Sequence, residues 1–521
     1  MLISARGPRL PHGCTRPSNL VEGTILNQGK LSLELKTRAA GTRFNINTDI
    51  YLRSAIFSAG AWSFGAFTYD AASALATLSI NSKSESIVVH PFGNDGSLPG
   101  TAVRIGAAST RGVTFEVKDM RSSGGLLPAE DQLGLFAADY AGLGFSASDL
   151  GDVLRRVDGW VVGTAVPDAT EIADIHETLA RNGALLQLNE PLMRQILDTI
   201  ETFETIHPDG PLFLNPATRE FDREANDGLE LYRAVFAVQQ TAIDMLYTPS
   251  TVRHCGTCVL EGRDFKTAKY WPGNNMDVVP PANRSVVHAV DVNASMPAQW
   301  GRRAAFDQQP ERQPTGLYVV PGAIATVTVP ASWIARGGYE VLVGAHTWDH
   351  EKKARHKRFD RVTTRFPITE TTTHVSNPLG GSVYVMVPYL ASEGVGTIRV
   401  TGGVIEAPFF QLDSWDESRG GTTSAEWLAR RAAPAPWAVF ATNKFMLDVP
   451  SSWITAMEPR NITDLLRRWD VAMDGVSEVF GRPPHTRNKK VCYYQNDITL
   501  PGGAHGIGYP QVGSCEVFFF F

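Results

Sequence analysis

Five short strand-forming blocks between residues 315 and 412 constrain the fold of this chain more than any other feature of its sequence. Gly, Pro and Asn separate the blocks at the short intervals that are typical of antiparallel sandwiches. Thr326 and Thr328 alternate with apolar residues, so one face of that strand should be buried and the other exposed. Residues 315–412 are therefore predicted to form a β-sandwich. The blocks read TGLYVVPGAIATVTVP, YEVLVGAHT, RVTTRFPI, GGSVYVMVP and GTIRVTGGVIEAPFF.

A second pattern, between residues 155 and 188, predicts a parallel α/β layer. RRVDGWVVGT (155–164) is interpreted as a buried strand and ALLQL (184–188) as the next one. Between them, DATEIADIHETLARNG (168–183) is typical of a helix, with Asp168 as its N-cap. A strand, a helix and a strand with short connections make a βαβ unit, which implies a parallel sheet.

Three further helices are predicted from apolar residues at helical spacing, over residues 191–206, 227–247 and 461–481. The last one, capped by Asn461, follows a predicted strand at FATNKFMLDVP (440–450) and indicates the start of an α+β domain.

The chain has 521 residues, which is too long for one ordinary domain. The predicted fold class is multidomain α/β plus β-sandwich, followed by the start of an α+β domain. Six segments are expected: an irregular segment 1–49, an α/β domain with packing helices 50–254, a connecting segment 255–314, the β-sandwich 315–412, a polar linker 413–433, and an incomplete α+β domain 434–521.

Charge and hydrophobicity exclude several classes of partner. The formal net charge of −6 gives no electrostatic footprint for nucleic acid. No run of about 18 or more apolar residues occurs, so no membrane span is predicted. The N-terminal MLISARGPRLPHG lacks the apolar core of a secretory signal peptide, and no signal peptide is expected. These observations leave the compartment open.

Five cysteines in so long a chain do not indicate a disulfide framework. Cys255 and Cys258 form a CxxC pair, but no second ligand pair at zinc-site spacing accompanies it. Structural or incidental thiols are the favoured interpretation, and a redox or metal role is the alternative.

Two fragments of the HExxH zinc signature occur, and neither is complete. In HTWDHEKKARH (346–356), His350 and Glu351 are followed by Ala354 where the second histidine would stand. His176 has Ala180 one helical turn later. The first fragment is interpreted as a solvated basic loop and the second as an exposed helix face. HExxH occurs nowhere in the 521 residues.

An ordered set of segments resembles the enhancin-like zinc metallopeptidases, metallopeptidase family 60, which include channel-associated-factor-like members. The segments are Thr315-Gly316-Leu317-Tyr318, Pro321-Gly322 with TVTVP, Val343-Gly344-Ala345-His346-Thr347, RFPI (365–368), Ser376-Asn377-Pro378 with Gly380-Gly381, APWAVF (435–440), DLLRRWD (464–470) and Gly508-Tyr509-Pro510. The N-terminal part is also similar to the degenerate amidotransferase-like α/β domain of some members. No cysteine lies between Cys14 and Cys255, so an amidotransferase nucleophile is missing.

The resemblance implies a zinc peptidase that acts on glycoproteins such as mucins, with HExxH on a helix that follows the Gly-Tyr-Pro region. Only residues 511–521 follow Pro510, so we expect the chain to be truncated before that motif and inactive as given. No catalytic, cofactor-binding or metal-binding residue is assigned, and zinc is expected in complete family members only.

The alternative to a peptidase-family fragment is a non-catalytic binding or scaffold protein. Its expected partners are glycoproteins, glycans or a membrane protein, the last by analogy with the channel-associated members. In the glycan-binding version, Trp333, Trp348 and Trp415 would offer faces for sugar rings.

Overall fold

A computed structural model describes residues 145–207, 227–269, 272, 278–296, 310–347, 349–351, 359–412, 421–442 and 444–479, and backbone strands elsewhere. The chain divides into two compact units. The first comprises residues 1–199 and 224–245, and the second comprises residues 200–223 and 246–521. No helix in these described ranges is long and apolar enough to cross a membrane.

The N-terminal part of the first unit contains two antiparallel five-stranded sheets, so residues 1–49, predicted to be irregular, contribute strands to both. Their strand orders are β10-β1-β6-β7-β8 and β5-β4-β3-β2-β9. The strands are β1 Leu2–Arg6, β2 Val21–Gln28, β3 Leu31–Arg38, β4 Gly41–Asn47, β5 Tyr51–Arg53, β6 Trp62–Asp70, β7 Leu75–Ile80, β8 Lys83–Val88, β9 Arg104–Ile105 and β10 Glu116–Arg121.

Helices follow these sheets along the chain. They are α1 Ala147–Val161, α2 Ala169–Asn182, a 3-10 helix Gly183–Leu188, α3 Glu190–Ile206 and α4 Glu230–Leu246. Helix α3 begins in the first unit, and its last residues belong to the second. The helices predicted at 191–206 and 227–247 are confirmed.

The βαβ prediction over residues 155–188 is wrong. Residues 155–161 lie in α1, whose apolar side chains recur at helical spacing from Leu150 onward and are buried. The hydroxyl of Ser146 caps this helix by accepting from the amide of Asp149 at 3.1 Å. Considered alone, the β-branched residues at the end of α1 are typical of a strand. The apolar residues of the preceding turns continue at helical spacing, and this spacing indicates a helix.

The helix predicted at 168–183 is confirmed as α2, and its cap is the predicted one. The carboxylate of Asp168 accepts from the amide of Thr170 at 2.8 Å, and this hydrogen bond holds the pKa of Asp168 below its ordinary value. The predicted strand 184–188 is instead the 3-10 helix, which continues α2 because Gly183 keeps a right-handed helical conformation. No parallel pair therefore forms across α2.

The second unit contains a two-sheet sandwich, but it begins at His288, inside the connecting segment predicted at 255–314, and residues 409–411 belong to another sheet. The first sheet has the order β12-β20-β14-β18 and the second β17-β15-β19-β13-β21, with all pairs antiparallel. The strands are β12 His288–Ser295, β13 Glu311–Val319, β14 Ile324–Thr328, β15 Glu340–Val343, β17 Thr364–Pro367, β18 Thr372–Ser376, β19 Gly381–Val387, β20 Ser392–Gly402 and β21 Val404–Glu406. The alternation predicted around Thr326 and Thr328 is present, because Ala325 and Val327 are buried and the threonines are only partly so.

A third, mixed sheet has the order β22-β23-β24-β25-β27-β26. Its strands are β22 Phe409–Gln411, β23 Trp437–Ala441, β24 Phe445–Pro450, β25 Cys492–Asn496, β26 Gly503–His505 and β27 Gln511–Ser514. The strand predicted at 440–450 is thus a hairpin of two strands. A short pair, β11 Phe221–Asp222 with β16 Arg355–His356, lies apart from these sheets.

Further helices and helical turns lie in the second unit. They are α5 Pro249–Cys255, a π-helical turn Gly256–Leu260, a 3-10 helix Lys266–Lys269, α6 Ala331–Arg336, α7 Ser424–Arg430, a 3-10 turn Ser451–Trp453 and α8 Pro459–Val479. Helix α7 lies within the predicted linker, where Thr423 and Glu426 form a reciprocal capping box. The predicted helix at 461–481 is confirmed as α8, but it begins at Pro459, so Asn461 lies inside it rather than capping it.

The second unit is layered, and its central strands are buried on both faces. Every residue of β13, β19, β23 and β24 is buried. The second sheet packs against the third through Leu342, Tyr384 and Met386 on one side and Val439 and Met446 on the other. Helices α7 and α8 cover the far side of the third sheet with Trp427, Ile462 and Leu466. Burial on both faces explains the nearly continuous apolar runs of these strands.

One exposed turn in the sandwich carries backbone strain. Leu390 has a φ of 63°, a left-handed conformation that side chains with a Cβ disfavour, in the turn closed by the hydrogen bond from the Ala391 amide to the Pro388 carbonyl at 3.1 Å. Leu390→Gly is expected to raise the free energy of unfolding by about 0.5–1 kcal/mol, because glycine adopts this conformation without steric cost. Denaturant titration of the chain measures the change.

Leu428 provides a matched control for this prediction. It is similarly exposed but lies in α7, where glycine is a poor helix former. Leu428→Gly should lower the free energy of unfolding by about 1 kcal/mol. A loss of stability in both variants would show that the turn at Leu390 is not strained.

Candidate functional site

The segments that carry the family resemblance converge on one buried side chain, that of Asn377. Its amide group donates to the backbone carbonyls of Val343 at 3.3 Å and Val362 at 2.9 Å. Its carbonyl oxygen accepts from the amide of Leu379 at 2.9 Å. Asn377 is fully buried, so these three bonds satisfy groups that water does not reach.

The backbone of Asn377 extends the same set of contacts. Its carbonyl accepts from the amides of Gly322 and Gly380, both at 3.0 Å. Gly381 packs directly on Gly344, because a Cβ at Gly381 would lie 2.5 Å from the Gly344 nitrogen. The Pro-Gly, Gly-Ala-His and Gly-Gly segments therefore meet at one end of the sandwich, and we call this set of contacts the asparagine hub. Its glycines are required by close backbone approach.

A second polar cluster, which we call the buried junction, lies between the second and third sheets. It consists of Arg312, Tyr384 and Asp448 on strands β13, β19 and β24, all at most 2% exposed. The hydroxyl of Tyr384 donates to a carboxylate oxygen of Asp448. The guanidinium of Arg312 donates to the carbonyl of Ala345 at 2.9 Å and to the hydroxyl of Thr347.

Burial dominates the electrostatics of the junction. Burial raises the pKa of Asp448 to about 7, against the opposing effects of the Tyr384 hydrogen bond and the Arg312 charge. The pKa of Tyr318 is also raised, first by burial and then by the charge of Asp448. Beside the cluster, the His346 ring meets Trp437 edge-on, with 4.9 Å between ring centroids. The junction therefore sits in a closely packed apolar layer.

A third group of polar residues joins the end of α3 to the chain after the π-helical turn. Glu204 is 2% exposed and accepts from the amide of Thr267 at 3.4 Å. Burial raises its pKa to about 7, although backbone hydrogen bonds act in the opposite direction. Tyr247 donates to the carbonyl of Arg263 at 3.1 Å and packs edge-on against Phe265.

These clusters position sheets and loops. Arg312, Asn377, Tyr384 and Asp448 are buried, and their side-chain hydrogen bonds join separate strands and loops. In the residues whose placement is described, no group of three or more His, Cys, Asp and Glu side chains could hold a metal ion. The described residues thus do not fit a catalytic zinc ion.

The structure describes parts of both incomplete HExxH sequences. His350 donates its backbone amide to the Asp360 carbonyl at 3.0 Å, and the Glu351 carboxylate pairs with Arg361 at 3.4 Å. Residues 349–351 are not helical, and Ala354 lies outside the described residues. His346, which lies at the end of the predicted strand block YEVLVGAHT and precedes the predicted loop, is buried. His176 lies on α2, as predicted.

Of the three tryptophans predicted to stack on sugars, Trp333 lies in the part of the chain that the structure describes. Trp333 is fully buried and stacks on Tyr339 with 4.8 Å between ring centroids, so its face is not available to a glycan. That part of the prediction is wrong. Trp348 and Trp415 lie outside the described residues.

The sequence matches known proteins over part of its length. Residues 287–401 match the sequence model of the N-terminal domain of M60-like peptidases. TRPM8 channel-associated factor 1 from Bos taurus is 27% identical over 323 residues, covering 58% of this chain and 31% of that protein. TRPM8 channel-associated factor 2 from Homo sapiens is 31% identical over 199 residues, covering 38% of this chain and 20% of that protein. The chain therefore spans about a third or less of the length of these relatives.

Solved metallopeptidase structures show a weaker similarity. The IMPa metallopeptidase from Pseudomonas aeruginosa has 11% identity and a TM-score of 0.36, covering 62% of this chain and 38% of that one. The ZmpB metallopeptidase from Clostridium perfringens has 14% identity and a TM-score of 0.33, covering 44% of this chain and 49% of that one. TM-scores of this size do not establish a common fold. Residues 287–401 are therefore similar to the N-terminal domain of M60-like peptidases, and the chain is similar to the TRPM8 channel-associated factors over part of their length.

Proposed function

We propose that this chain acts as a binding or scaffold module of an M60-like protein and is inactive as a peptidase by itself. The observation that carries the proposal is the match of residues 287–401 to the N-terminal domain of M60-like peptidases. The buried polar clusters of this region support it, because they serve to fix loops and sheets. Zinc-dependent cleavage of glycoproteins, which the family resemblance implies, is assigned to a complete family member.

The chemistry of the residues present supports the same proposal. A zinc peptidase of this type needs two histidines one helical turn apart and a glutamate that activates the metal-bound water. The 521 residues contain no HExxH, and Ala354 and Ala180 replace the second histidine in the two fragments. Neither alanine can coordinate a metal.

Two classes of partner are proposed for the module. The resemblance to peptidases that act on glycoproteins favours a glycoprotein or its glycans. The names of the curated relatives, TRPM8 channel-associated factors, favour a membrane protein as the second candidate. Since the chain spans only part of those relatives, both partners are proposals for this chain.

A binding assay distinguishes the two classes. The full chain is passed over an immobilised O-glycosylated mucin, over the same mucin after enzymatic removal of its glycans, and over detergent-solubilised TRPM8. Saturable binding that is lost on deglycosylation supports the glycoprotein partner, and saturable binding to the channel supports the second candidate. Absence of saturable binding to all three surfaces would contradict the proposed binding function.

We also propose an amidotransferase-like domain over residues 50–254. This domain and the six-segment division of the chain rest on the resemblance and on sequence patterns. They stay predictions, and limited proteolysis of the full chain with mapping of the resistant fragments tests them.

A further inference from the structure

Two cysteines of the second unit lie three residues apart where helix α5 ends and a π-helical turn begins. Cys255 is the last residue of α5 and is half-buried, and Cys258 lies in the following π-helical turn and is exposed. Both are present as thiols rather than as a disulfide. The Cys258 thiol donates to the carbonyl of Cys255 at 3.3 Å, so its side chain points back toward its neighbour.

This spacing is compatible with a disulfide, provided that the turn tightens. Residues i and i+3 of a helical backbone have Cα atoms about 5 Å apart, within the range of disulfides. Residues at this spacing in a regular helix have Cβ atoms about 5–6 Å apart, whereas a disulfide needs about 4 Å. Cys255 has a φ of −118° and a ψ of 2° at the start of the π-helical turn, so the turn must change shape to close the bond. A bond closed under such strain is readily reduced, as reversible disulfides are.

The same turn is packed tightly against the sandwich. A Cβ on Gly256 would lie 2.7 Å from the Cδ1 atom of Ile324 on strand β14. The amide of Glu261 donates to the carbonyl of Gly256 at 2.8 Å and closes the wide π-type turn. The Glu261 carboxylate accepts from the amide of Ile324 at 3.2 Å. Movement of the turn is therefore transmitted to β14.

Residues 256–265, which we call the strap, continue from this turn to the asparagine hub. The amide of Gly262 donates to the carbonyl of Gly322 at 2.9 Å. The amide of Phe265 donates to the carbonyl of Pro378 at 3.0 Å. The strap thus attaches to the segments around Gly322 and Pro378, which meet at the asparagine hub. Cys255 immediately precedes the strap, and Cys258 lies in its first turn.

We propose that Cys255 and Cys258 form a reversible thiol–disulfide switch that controls the attachment of the strap to the sandwich. The oxidant is a low-molecular-weight disulfide such as glutathione disulfide. The exposed Cys258 thiolate attacks one sulfur, which forms a mixed disulfide and releases one glutathione thiolate. The Cys255 thiolate then attacks the Cys258 sulfur of that mixed disulfide and releases the second glutathione. Two protein thiols and one glutathione disulfide give one protein disulfide and two glutathiones, and reduced glutathione reverses the exchange.

The test uses the full chain, incubated with graded ratios of oxidised to reduced glutathione and then alkylated with iodoacetamide. Mass spectrometry of the digested chain should show that Cys255 and Cys258 lose alkylation together and become linked to each other, with full recovery after reduction. Hydrogen exchange in residues 256–265 and 322–325 should be faster in the oxidised chain. Exchange at the remote helix α8 should be unchanged.

Single serine variants separate the two steps. Cys255→Ser should retain a stable glutathione adduct on Cys258, since the resolving thiol is missing, and Cys258→Ser should form little adduct. A wild-type chain whose two thiols stay alkylatable at strongly oxidising ratios would overturn the proposal. So would linkage of either cysteine to Cys14, Cys492 or Cys515, or unchanged exchange in the strap after the Cys255–Cys258 disulfide has formed.

Discussion

Replacement of Asn377 by alanine is expected to lower the free energy of unfolding of the sandwich by about 4 kcal/mol. The side chain is fully buried, and its loss removes three hydrogen bonds. It leaves the carbonyls of Val343 and Val362 and the amide of Leu379 without these bonds, and each unsatisfied buried group costs about 1–3 kcal/mol. Local rearrangement should recover part of this cost.

Hydrogen exchange followed by mass spectrometry measures this loss in the relevant segments, since a chain of two units need not unfold in one step. Amides in 340–343 and 381–387 should exchange about a thousandfold faster in Asn377→Ala. Asn283→Ala serves as the control, because Asn283 is exposed and its side chain accepts a local hydrogen bond from the amide of Ser285 at 3.0 Å. Equal protection in both variants would show that the asparagine hub does not hold the sandwich together.

Raising the pH from 5 to 8 is expected to lower the stability of the second unit. Burial raises the folded-state pKa of Asp448 from 3.8 to about 7. Between these values the folded chain retains a proton that the unfolded chain has released, so stability decreases as the pH rises. The difference corresponds to about 4 kcal/mol in total, fully developed above pH 7. Glu204, whose pKa is also raised to about 7, contributes in the same direction.

Groups with lowered pKa do not cancel this effect. Asp168, Asp227 and Glu426 have pKa values below their ordinary ones because of hydrogen bonds to Thr170, Arg233 and Thr423 respectively. Their stabilising contribution is lost only as the pH falls through those lowered values, which lie below the range from 5 to 8. The slope in that range therefore reflects the buried acids.

Guanidinium titrations at pH 5, 6, 7 and 8, monitored by tryptophan fluorescence, measure the slope. Asp448→Asn should flatten it and raise stability at pH 8, because the neutral amide can still accept from the Tyr384 hydroxyl. Glu204→Gln should remove a separate part of the slope, and the exposed Glu478→Gln should leave it unchanged. A wild-type chain that is more stable at pH 8 than at pH 5 would contradict the assigned protonation of the junction.

The strands of the sandwich could be predicted from the sequence because the alternation of polar and apolar residues matches the burial of their side chains in the folded chain. Thr326 and Thr328 lie on a strand with one buried face, and the alternation of side chains shows this directly. Helix α8 was predictable for the same reason, since Ile462 and Leu466 form one apolar stripe. The strand predicted at 155–164 was wrong because its β-branched residues complete a helical stripe that begins at Leu150.

The buried polar clusters could not be predicted, because their members are distant in the sequence. Tyr384 and Asp448 are 64 residues apart, and only the packing of the second sheet on the third brings them together. The one local signal is an ionisable residue inside an apolar strand, as with Asp448 in FMLDVP and Arg312 in the buried strand β13. Such a residue indicates a buried partner, but the sequence does not identify which one.

Direct measurement of zinc content and proteolysis tests the central proposal, that this chain is a binding or scaffold module and is inactive as a peptidase by itself. The full chain is incubated with excess zinc, dialysed, and assayed for bound metal by elemental analysis. It is then incubated with an O-glycosylated mucin, and the products are examined by mass spectrometry. We expect less than stoichiometric zinc and no new mucin termini. One tightly bound zinc per chain together with zinc-dependent cleavage of the mucin would contradict the account.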